Sequence, residues 1–395
     1  MRVLIVLGTR PEAIKLCPVI RALRARCGEL DIRVCVTGQH REMLRPVLEL
    51  FDVVPDHDLA LMQADQTLAA LSAGVLTGTT AVIEAERPDW VVVQGDTTTA
   101  FGASLAAFYR RTRIAHVEAG LRTGDMRRPF PEEANRRIVD LLANLYFPPT
   151  ERARQNLLRE AVDPKRIHVT GNTVIDALHH VLAGDYDVAG GPLGRIPFHR
   201  RIVLVTAHRR ESFGAGFVSI CHALRQLANG RDDIHLVYPV HLNPNVRDPV
   251  HQLLGGHPRI SLIPPLDYVS LVQLMRRCTL ILTDSGGIQE EAPGLGKPVL
   301  VLRDATERPE AIEAGCARLV GTDAGRIVGE ARRLLDDDAA YQQMARVANP
   351  FGDGRASERI AQILLGTAEP VAAVPLRRPQ LLAASPATNS SSATP

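Results

Sequence analysis

Residues 90–99 read WVVVQGDTTT, in which an apolar, β-branched run ends abruptly in glycine, aspartate and threonine. Comparable short runs alternate with amphipathic segments along the chain. This alternation is typical of βαβ units, in which helices cover both faces of a parallel sheet. The other apolar runs cover residues 3–7, 32–36, 114–117 and 167–170 in the first half, and 202–205, 235–239, 260–263, 280–283 and 299–302 in the second.

A Gly- and Pro-rich patch at residues 184–197 interrupts this rhythm. A chain of 395 residues is long enough for two domains, and the restart after the patch predicts two doubly wound α/β domains. Ile360, Ile363 and Leu364 recur at helical spacing, so we expect residues 355–366 to form a terminal helix. Residues 367–395 consist largely of Ala, Pro, Ser and Thr without an aromatic anchor, and we expect this tail to be disordered.

The composition restricts the classes of partner and compartment. The net charge is +2 and like charges form no block, so we expect neither nucleic acid nor a membrane surface as a partner. The first apolar run passes directly into Gly-Thr-Arg-Pro-Glu, unlike a secretion signal, and no stretch approaches a membrane span of roughly 18 apolar residues. The six scattered cysteines lack CxxC pairs and zinc-ligand spacing, which predicts reduced thiols, no metal site and a cytoplasmic protein.

Polar residues follow several of the apolar runs directly. In open α/β sheets ligands bind outside the carboxyl ends of the strands, so these positions are the first candidates for a functional site. They are residues 8–11 (GTRP), 94–99 (QGDTTT), 118–122 (EAGLR), 207–210 (AHRR) and 284–287 (DSGG). If the two sheets face each other by these edges, all five segments line one cleft.

Two of these regions have the features of an anion site. Ser285-Gly286-Gly287 stands between an apolar run and a predicted helix start, where free backbone amides suit a pyrophosphate. Glu291 follows one helical turn later, on the face where a carboxylate accepts hydrogen bonds from ribose hydroxyls. Arg10 and Lys15 add two cations at the mouth of the first domain. The alternatives are a tight turn without a ligand and a solvated basic helix start.

The phosphate-binding patterns of the common nucleotide cofactors are missing from the sequence. The first strand leads into GTRPE rather than GxGxxG, and the chain contains no GxxxxGK[ST] loop. We therefore expect neither NAD nor ATP, and no cofactor.

Three carboxylates are candidates for acid–base chemistry. Asp96 and Glu118 each follow an apolar run, and Glu132 opens a predicted helix. Carboxylates that converge in a partly desolvated cleft repel one another, which raises at least one pKa and permits proton transfer. Each also has a structural alternative: Asp96 as a helix cap, Glu118 as a partner of Arg122, and Glu132 as a partner of Arg136.

His208 follows the first apolar run of the second half, opposite these carboxylates. An imidazole at this position can hydrogen-bond a leaving phosphate or donate a proton to it. The alternative is a loop histidine without a ligand, but the neighbouring Arg209 and Arg210 favour phosphate.

Taken together, these segments resemble the bacterial non-hydrolysing UDP-N-acetylglucosamine 2-epimerases. The motifs that carry the resemblance are GTRPEAIK (8–15), GQHREML (38–44), GDTTT (95–99), HVEAGLRTG (116–124), PEEANRR (131–137), HRRESFG (208–214), PVHLNPNVR (239–247), DSGGIQEEAP (284–293) and TERPEA (306–311). The resemblance implies a glycosyltransferase-B architecture, in which two Rossmann-like domains face a central cleft and the last helix crosses back to the first domain. It places the domains at residues 1–180 with 355–366 and at residues 181–354, and it implies a homodimer.

The resemblance also assigns roles to single residues. It makes Asp96, Glu118 and Glu132 candidate acid–base groups and His208 a phosphate and catalytic contact. The implied substrate contacts are Arg10, Lys15, Arg136, Leu266, Leu271, Ser285, Gly286, Gly287, Glu291 and Arg308.

Three of the implied positions carry a qualification. Arg308 has an alternative as a partner of Glu307 or Glu310. Leu271 stands where the family usually has Phe, in the loop against the uracil, so we expect weaker base stacking. In some relatives the segment that is Gln39-His40-Arg41 in this chain belongs to a second UDP-sugar site that activates the enzyme.

The implied reaction is the reversible C2 epimerisation of UDP-N-acetylglucosamine to UDP-N-acetylmannosamine, which supplies surface-polysaccharide biosynthesis. The C2 hydrogen is not adjacent to a carbonyl, so we expect anti elimination of UDP to 2-acetamidoglucal, followed by re-addition. The alternatives are 2-epimerisation of a UDP-2,3-diacetamido uronic acid, a hydrolysing epimerase, a glycosyltransferase of the same fold, and a UDP-sugar sensor without catalysis.

Overall fold

The computed structural model describes residues 1–26, 28, 30–38, 41–63, 66–209 and 212–366, without the side chains of residues 41–43. Over these residues the strands form two six-stranded sheets, one in each half of the chain. The predicted disordered tail, residues 367–395, and Cys27 lie outside the described residues.

The first sheet consists of β1 (Arg2–Leu7), β2 (Asp31–Val36), β3 (His57–Asp58), β4 (Trp90–Gln94), β5 (Arg113–Val117) and β6 (Leu145–Phe147). Its order is β3-β2-β1-β4-β5-β6, and its strand pairs are parallel. The helices of this half are α1 (Arg10–Arg24), α2 (Arg41–Leu50), α3 (Leu68–Glu86), α4 (Thr98–Tyr109), α5 (Glu132–Leu142), α6 (Glu151–Arg159) and α7 (Thr173–Ala183). The central strands β1 and β4 are almost entirely buried, as expected for apolar runs with helices on both faces.

The second sheet consists of β7 (Arg201–Thr206), β8 (Ile234–Pro239), β9 (Ile260–Ile263), β10 (Leu280–Thr283), β11 (Val299–Val301) and β12 (Ala317–Leu319). Its order is β12-β11-β10-β7-β8-β9, again with parallel pairs. The helices are α8 (Ala215–Asn229), α9 (Pro244–Leu254), α10 (Tyr268–Arg277), α11 (Gly286–Glu291), α12 (Pro309–Ala314), α13 (Ala324–Asp336), α14 (Asp338–Ala345) and α15 (Ala356–Gly366). Short 3-10 helices span Pro164–Arg166 and Ala292–Leu295.

Both sheets have the doubly wound order 3-2-1-4-5-6 when their strands are numbered within each half. In this topology a ligand crevice opens where the chain turns to opposite sides of the sheet, between β1 and β4 and between β7 and β10. The loops and helix starts after these four strands contain Arg10, Asp96, His208 and Ser285. The topology therefore places four predicted site segments at two switch points.

Local sequence explains where the helices beside the first switch point begin. The Thr9 hydroxyl accepts from the Glu12 N–H, and Glu12 Oε2 accepts from the Thr9 N–H at 2.7 Å, which makes a capping box at α1. The Thr97 hydroxyl caps α4 by accepting from the Ala100 N–H at 3.0 Å. Thr97 also donates to Glu12 Oε1 at 2.6 Å, so one buried carboxylate joins the loops after β1 and β4.

The strand prediction is wrong at residues 167–170. These residues form only an isolated bridge between Ile167 and Tyr146, and the edge strand is β6 instead. Because β6 follows α5 after a gap of only two residues, the apolar pattern of the helix runs into that of the strand. The short strands β3 and β12 were also not predicted.

The last described helix, α15, crosses back to the first half and packs on α1 and α7. Its side chains Ile360 and Leu364 are fully buried in the same core cluster as Leu23. Asp176 of α7 caps it, accepting from the N–H of Ser357 at 2.7 Å. The helix at residues 355–366 and its crossing are thus present, while the domain boundaries at residues 180 and 354 stay a prediction.

The expectation that no stretch approaches a membrane span is wrong for α3 by length and composition. Over the described residues α3 is the one helix that meets this criterion, with a mean hydropathy of 1.5. Only 28% of that window is buried within the chain. A core helix of a soluble protein meets the same criterion, so α3 is weak evidence for a membrane and clear evidence for an exposed apolar surface.

The cysteines with a described position are all buried and free of disulfides: Cys17, Cys35, Cys221, Cys278 and Cys316. Burial raises the pKa of the thiols of Cys17, Cys35, Cys221 and Cys278 to about 12, so these side chains behave as small apolar groups. Within the described part of the chain, no group of three or more His, Cys, Asp or Glu side chains is arranged to hold a metal ion.

Candidate active site

A cluster of alternating charges joins the two halves of the molecule. Lys15 Nζ of α1 lies 2.6 Å from Oε1 of Glu118, which follows β5. The same ammonium lies 3.7 Å from Oε2 of Glu290 on α11, and Glu290 in turn forms an ion pair with Arg308. The carboxyl edges of the two sheets therefore face each other, as the sequence predicts, across a cleft that contains Lys15, Glu118 and Arg308.

Glu118 is held as an ionised carboxylate. Besides Lys15, it accepts hydrogen bonds from the side-chain amides of Gln94 and of Asn172, the latter at 3.1 Å. Burial alone would raise the pKa of the Glu118 carboxyl, but the charges of Lys15 and Arg308 outweigh burial and the pKa is lowered. Its backbone has a φ of +64°, a left-handed conformation that is costly for a residue with a side chain and common at functional sites.

Asp96 lies at the end of the loop after β4 and forms an ion pair with Arg136 of α5. Asn135 Nδ2 donates to the backbone carbonyl of Asp96 at 2.9 Å. The cap of α4 is Thr97, so the alternative of Asp96 as a helix cap is wrong.

Glu132 is the first residue of α5, as predicted. The alternative pair with Arg136 does not form, because Arg136 contacts Asp96 and Glu133 instead. Among the described residues, Glu132 Oε2 is buried without a hydrogen-bond partner. An unpaired buried carboxylate oxygen is costly, and it is available to a ligand.

His208 lies in the loop after β7, which Asp284 holds in place. Asp284 Oδ2 accepts from the backbone N–H groups of His208 and Arg209, at 2.6 and 2.7 Å. The His208 ring stacks on His241, with centroids 5.4 Å apart, and its Nδ1 lies 3.4 Å from Asp284 Oδ1. Burial lowers the pKa of His208, with Asp284 opposing that effect, so the ring is neutral at physiological pH.

The segment Ser285-Gly286-Gly287 opens α11, and the Ser285 side chain makes no capping hydrogen bond. A Cβ atom at Gly286 would lie 3.9 Å from the guanidinium groups of both Arg209 and Arg308, so two cations flank this backbone. Glu291, at the end of α11, is buried and accepts from the Tyr268 hydroxyl at 3.0 Å. Burial raises the pKa of Glu291 to about 8.

Two cavities lie between the halves of the chain. One, of about 590 Å³, is lined by Arg136 from the first half and by Arg209 and Arg308 from the second. The other, of about 310 Å³, is lined by Arg10 and Val47 from the first half and by Asp267 and Tyr268 from the second. Arg10 is therefore not solvated on the surface of one domain but lies at the junction of both.

The remaining predicted residues have different outcomes. Leu266 lies in the segment before α10, but Leu271 lies within α10 rather than in a loop, so that part of the prediction is wrong. Arg308 forms its ion pair with Glu290 and also donates to the backbone carbonyl of Glu307 at 3.2 Å. The carboxylates of its alternative partners, Glu307 and Glu310, contact Arg303 and Thr150. Gln39 and His40, and the side chain of Arg41, lie outside the described residues.

Several residues that organise the cleft have no role assigned from the sequence. They are Gln94 and Asn172 on Glu118, Glu290 between Lys15 and Arg308, and Asp284 beneath His208. Gln94 and Asp284 lie in the candidate segments 94–99 and 284–287, and Glu290 lies in the motif at 284–293, so their positions are predicted but their contacts are not. Asn172 had no comparable signal in one sequence.

Comparison with known proteins assigns the chain to a family. The model of the family UDP-N-acetylglucosamine 2-epimerase matches residues 21–365. The chain belongs to the UDP-N-acetylglucosamine 2-epimerase family. The UDP-N-acetylglucosamine 2-epimerase of Escherichia coli strain K12 is 55% identical over 371 residues, which cover 92% of this chain and 98% of the relative.

Solved structures of the 2-epimerase family have the same architecture. The UDP-GlcNAc 2-epimerase from Neisseria meningitidis, bound to UDP-GlcNAc, has a TM-score of 0.85 and 45% identity, and the match covers 93% of this chain and 100% of that one. The enzyme from Methanocaldococcus jannaschii, in complex with UDP-GlcNAc and UDP, has a TM-score of 0.77 and 34% identity, with coverages of 92% and 99%. The predicted family and the predicted glycosyltransferase-B-type fold are confirmed.

Proposed function

We propose that this chain interconverts UDP-N-acetylglucosamine and UDP-N-acetylmannosamine without hydrolysing them. Family membership supports 2-epimerase activity on this nucleotide sugar. The observation that carries the route is the buried cluster of Lys15, Glu118, Glu290 and Arg308, which places cations and carboxylates at one point between the domains.

The first step in this proposal breaks the bond between C1 and the diphosphate oxygen. The electron pair leaves with UDP, and positive charge develops on the sugar ring. Arg10, His208, Arg308 and the backbone amides at the start of α11 would stabilise the charge on the departing diphosphate. Glu118, which stays ionised beside Lys15, would stabilise the oxocarbenium-like ring by its negative charge.

The second step removes the proton from C2 to give 2-acetamidoglucal. Positive charge at C1 acidifies this hydrogen, so a carboxylate is a sufficient base. Asp96 and Glu132 are the groups that we assign to proton transfer together with Glu118. Protonation of the intermediate from the opposite face, with return of the UDP oxygen to C1, gives the C2 epimer, and atoms and charges balance over the cycle.

A nonhydrolytic reaction requires that the 2-acetamidoglucal intermediate be kept from water until UDP has added back to it. The cleft is formed by both halves of the chain, so closure can exclude solvent during the reaction. A UDP-2,3-diacetamido uronic acid as the substrate and a hydrolysing reaction are the alternatives. We also propose a cytoplasmic enzyme whose product supplies surface-polysaccharide biosynthesis, on the basis of the family resemblance alone.

We further propose a homodimer that forms through α3 and the end of α4. The surface there exposes Leu68, Phe108 and Tyr109, at 41, 53 and 63% of their areas. Leu68 begins α3, while Phe108 and Tyr109 end the neighbouring α4, whose C-cap Arg110 pairs with Glu84 near the other end of α3. An exposed apolar patch of this kind suits a self-complementary contact with a second copy of the chain.

The proposed reaction is tested by incubating the purified protein with UDP-N-acetylglucosamine in deuterium oxide and recording proton spectra. We expect UDP-N-acetylmannosamine to form, with deuterium at C2 of both epimers. Release of free N-acetylmannosamine would support the hydrolysing alternative, and a requirement for added nicotinamide cofactor would contradict the elimination route.

A further inference from the structure

His116 on β5 and Asp140 on α5 form a buried pair beneath the loops that carry Asp96 and Glu118. His116 Nδ1 lies 2.7 Å from Asp140 Oδ1, and Nε2 lies 2.8 Å from the carbonyl oxygen of Gly95. Both side chains are inaccessible to solvent, at 0 and 1% exposure. Sequence reasoning had assigned neither residue a role.

The partners of the His116 ring fix it at both nitrogens. A backbone carbonyl only accepts hydrogen bonds, so Nε2 must carry a hydrogen to bond Gly95. Asp140 Oδ2 already accepts from the Gly120 N–H at 3.1 Å and from Arg122 Nη2 at 2.8 Å, an environment that favours an ionised carboxylate. The ring is therefore held between the Gly95 carbonyl and an ionised Asp140.

The surrounding charges are consistent with an ionised Asp140. Glu160, Arg122 and Asp140 form a row of alternating sign that leads from the surface to the buried His116 ring. Burial alone would raise the pKa of the Asp140 carboxyl, but His116 and Arg122 outweigh burial and the pKa is lowered. The pairing of opposite charges along the row limits the cost of burying them.

The pair connects two loops of the candidate site. Gly95 directly precedes Asp96 and has a φ of +69°, so the loop turns at the carbonyl that His116 holds. Asp140 holds the Gly120 N–H, two residues after Glu118, in the other loop. The His116–Asp140 pair thus holds the backbone of both loops, next to Asp96 in one and two residues after Glu118 in the other.

We infer that His116, held between Asp140 and the Gly95 carbonyl, is a positioning residue for the acid–base chemistry of Asp96 and Glu118. It does not touch the substrate but sets the geometry of the loops that do. This inference rests on the proposed function, because it assumes that these two carboxylates act on the sugar.

Two substitutions separate the contacts of the ring. In His116→Gln the longer side chain brings its amide to the position of Nε2, where it can still donate to Gly95. In His116→Asn the amide reaches only the position of Nδ1, so the Gly95 carbonyl loses its donor. We expect kcat of His116→Asn to fall about 100-fold, as for a small displacement of catalytic groups, and His116→Gln to recover part of that loss.

The affinity for UDP serves as the folding control, since the proposed nucleotide contacts lie mainly in the second half of the chain. We expect the Kd of UDP and the KM to stay unchanged in both variants. His235→Gln is the matched variant, because His235 is a buried histidine on the central strand β8 of the other sheet, with Nε2 2.8 Å from Ser261 Oγ. Equal losses of kcat in His116→Asn and His235→Gln would overturn the inference.

A spectroscopic test does not depend on the variants of His116 being folded. In wild-type protein with ¹⁵N-labelled histidine, Nε2 of His116 should carry a hydrogen that is bonded to the Gly95 carbonyl. Asp140→Asn preserves the shape of the partner but offers an amide donor to Nδ1, so the ¹⁵N shift of Nδ1 should change. A His116 ring without a hydrogen on Nε2 in the wild type would contradict the inference.

The variant Asp96→Asn distinguishes a failure of the proposed function from a failure of the positioning role alone. If Asp96→Asn retains full C2 deuterium exchange, the proposed function of these loops is wrong and the inference fails with it. If Asp96→Asn loses exchange while both His116 variants retain the wild-type kcat, only the positioning role is wrong.

Discussion

The ammonium group of Lys15 donates to both carboxylate oxygens of Glu118, at 2.6 and 2.7 Å. One residue belongs to the first helix and the other follows β5, 103 positions later in the chain. Glu118 is buried and Lys15 is 12% exposed, so each needs the other to offset the cost of removing its charge from water. This ion pair makes stability and activity depend on the same contact.

Lys15→Met is expected to destabilise the protein by about 3–5 kcal/mol, because it leaves a buried carboxylate without its cation. The sign of the pH effect follows from the lowered pKa of Glu118 in the folded state. The stability from this pair is present above the unfolded-state pKa and is lost as pH falls through the folded-state value. Chemical denaturation at several pH values should therefore show a stability difference between the wild type and Lys15→Met that is large at neutral pH and shrinks as pH falls through the folded-state pKa of Glu118. The exposed Lys165 provides the control, and an equal effect of Lys165→Met would contradict this prediction.

Asp96→Asn is expected to fold normally and Glu118→Gln to fold with reduced stability, since Lys15 loses its main partner. Both should lose about 10²–10⁴-fold in the rate of deuterium exchange at C2. Each substitution keeps the size of the side chain but removes the charge and the basicity. The measurement is the time course of proton spectra with UDP-N-acetylglucosamine. Asp232→Asn, at a highly exposed carboxylate, is the matched control. Exchange at the wild-type rate in both site variants would remove these residues from the mechanism.

Glu291 should make UDP binding depend on pH. Since its pKa is raised to about 8 in the free protein, the carboxyl is protonated below that pH. Ribose hydroxyls donate to the ionised carboxylate, so we expect UDP to bind more tightly as pH rises through 8. Below pH 8, UDP binding should release the proton of the Glu291 carboxyl to solution. Calorimetry in buffers with different ionisation enthalpies measures this proton, and Glu291→Gln should abolish both the release and the pH dependence.

The raised pKa of Glu291 also predicts how the stability of the ligand-free protein depends on pH. A carboxyl whose folded-state pKa is raised contributes stability at low pH and loses it as pH rises from the unfolded value through about 8. Glu291→Gln should thus gain stability relative to the wild type above pH 8. Glu358→Gln, at an exposed position on α15, should show no such gain. An equal gain in Glu358→Gln would refute the raised pKa of Glu291 as the cause.

Leu68→Glu should convert the proposed dimer to a monomer, because it places a charge in the apolar face of α3. Light scattering after gel filtration is expected to give twice 43.0 kDa for the wild type and 43.0 kDa for the variant. Leu141→Glu changes a leucine that is 81% exposed on α5 and should leave the mass unchanged. A dimer that survives Leu68→Glu but not Leu141→Glu would place the interface on the other surface.

Much of the fold could be predicted because buried parallel strands are continuous apolar runs. The segments 90–94 and 280–283 differ sharply from the helices around them, and both form central strands. At residues 145–147 the helix and strand patterns merge, and at 167–170 a strand-like composition pairs with only one neighbour. Composition alone could not separate these two cases.

Candidate site residues could be predicted where they directly follow a strand. Asp96, Glu118 and His208 all stand at such positions, and the doubly wound topology brings them to the cleft. Glu290 and Asn172 act through contacts between distant segments, which one sequence does not reveal. His116 lies inside an apolar strand, where a buried histidine has no distinguishing pattern.

The return of α15 to the first half has a consequence for biosynthesis. Ile360 and Leu364 belong to a large apolar core and pack there against α1 and α7. The ribosome adds Ile360 and Leu364 after almost every other residue of the described chain. Until then, the nascent first half exposes the apolar groove that α15 covers. The final eleven residues of the described chain then cover it, so native assembly of the first half requires α15 and is completed only after residue 366 has been synthesised.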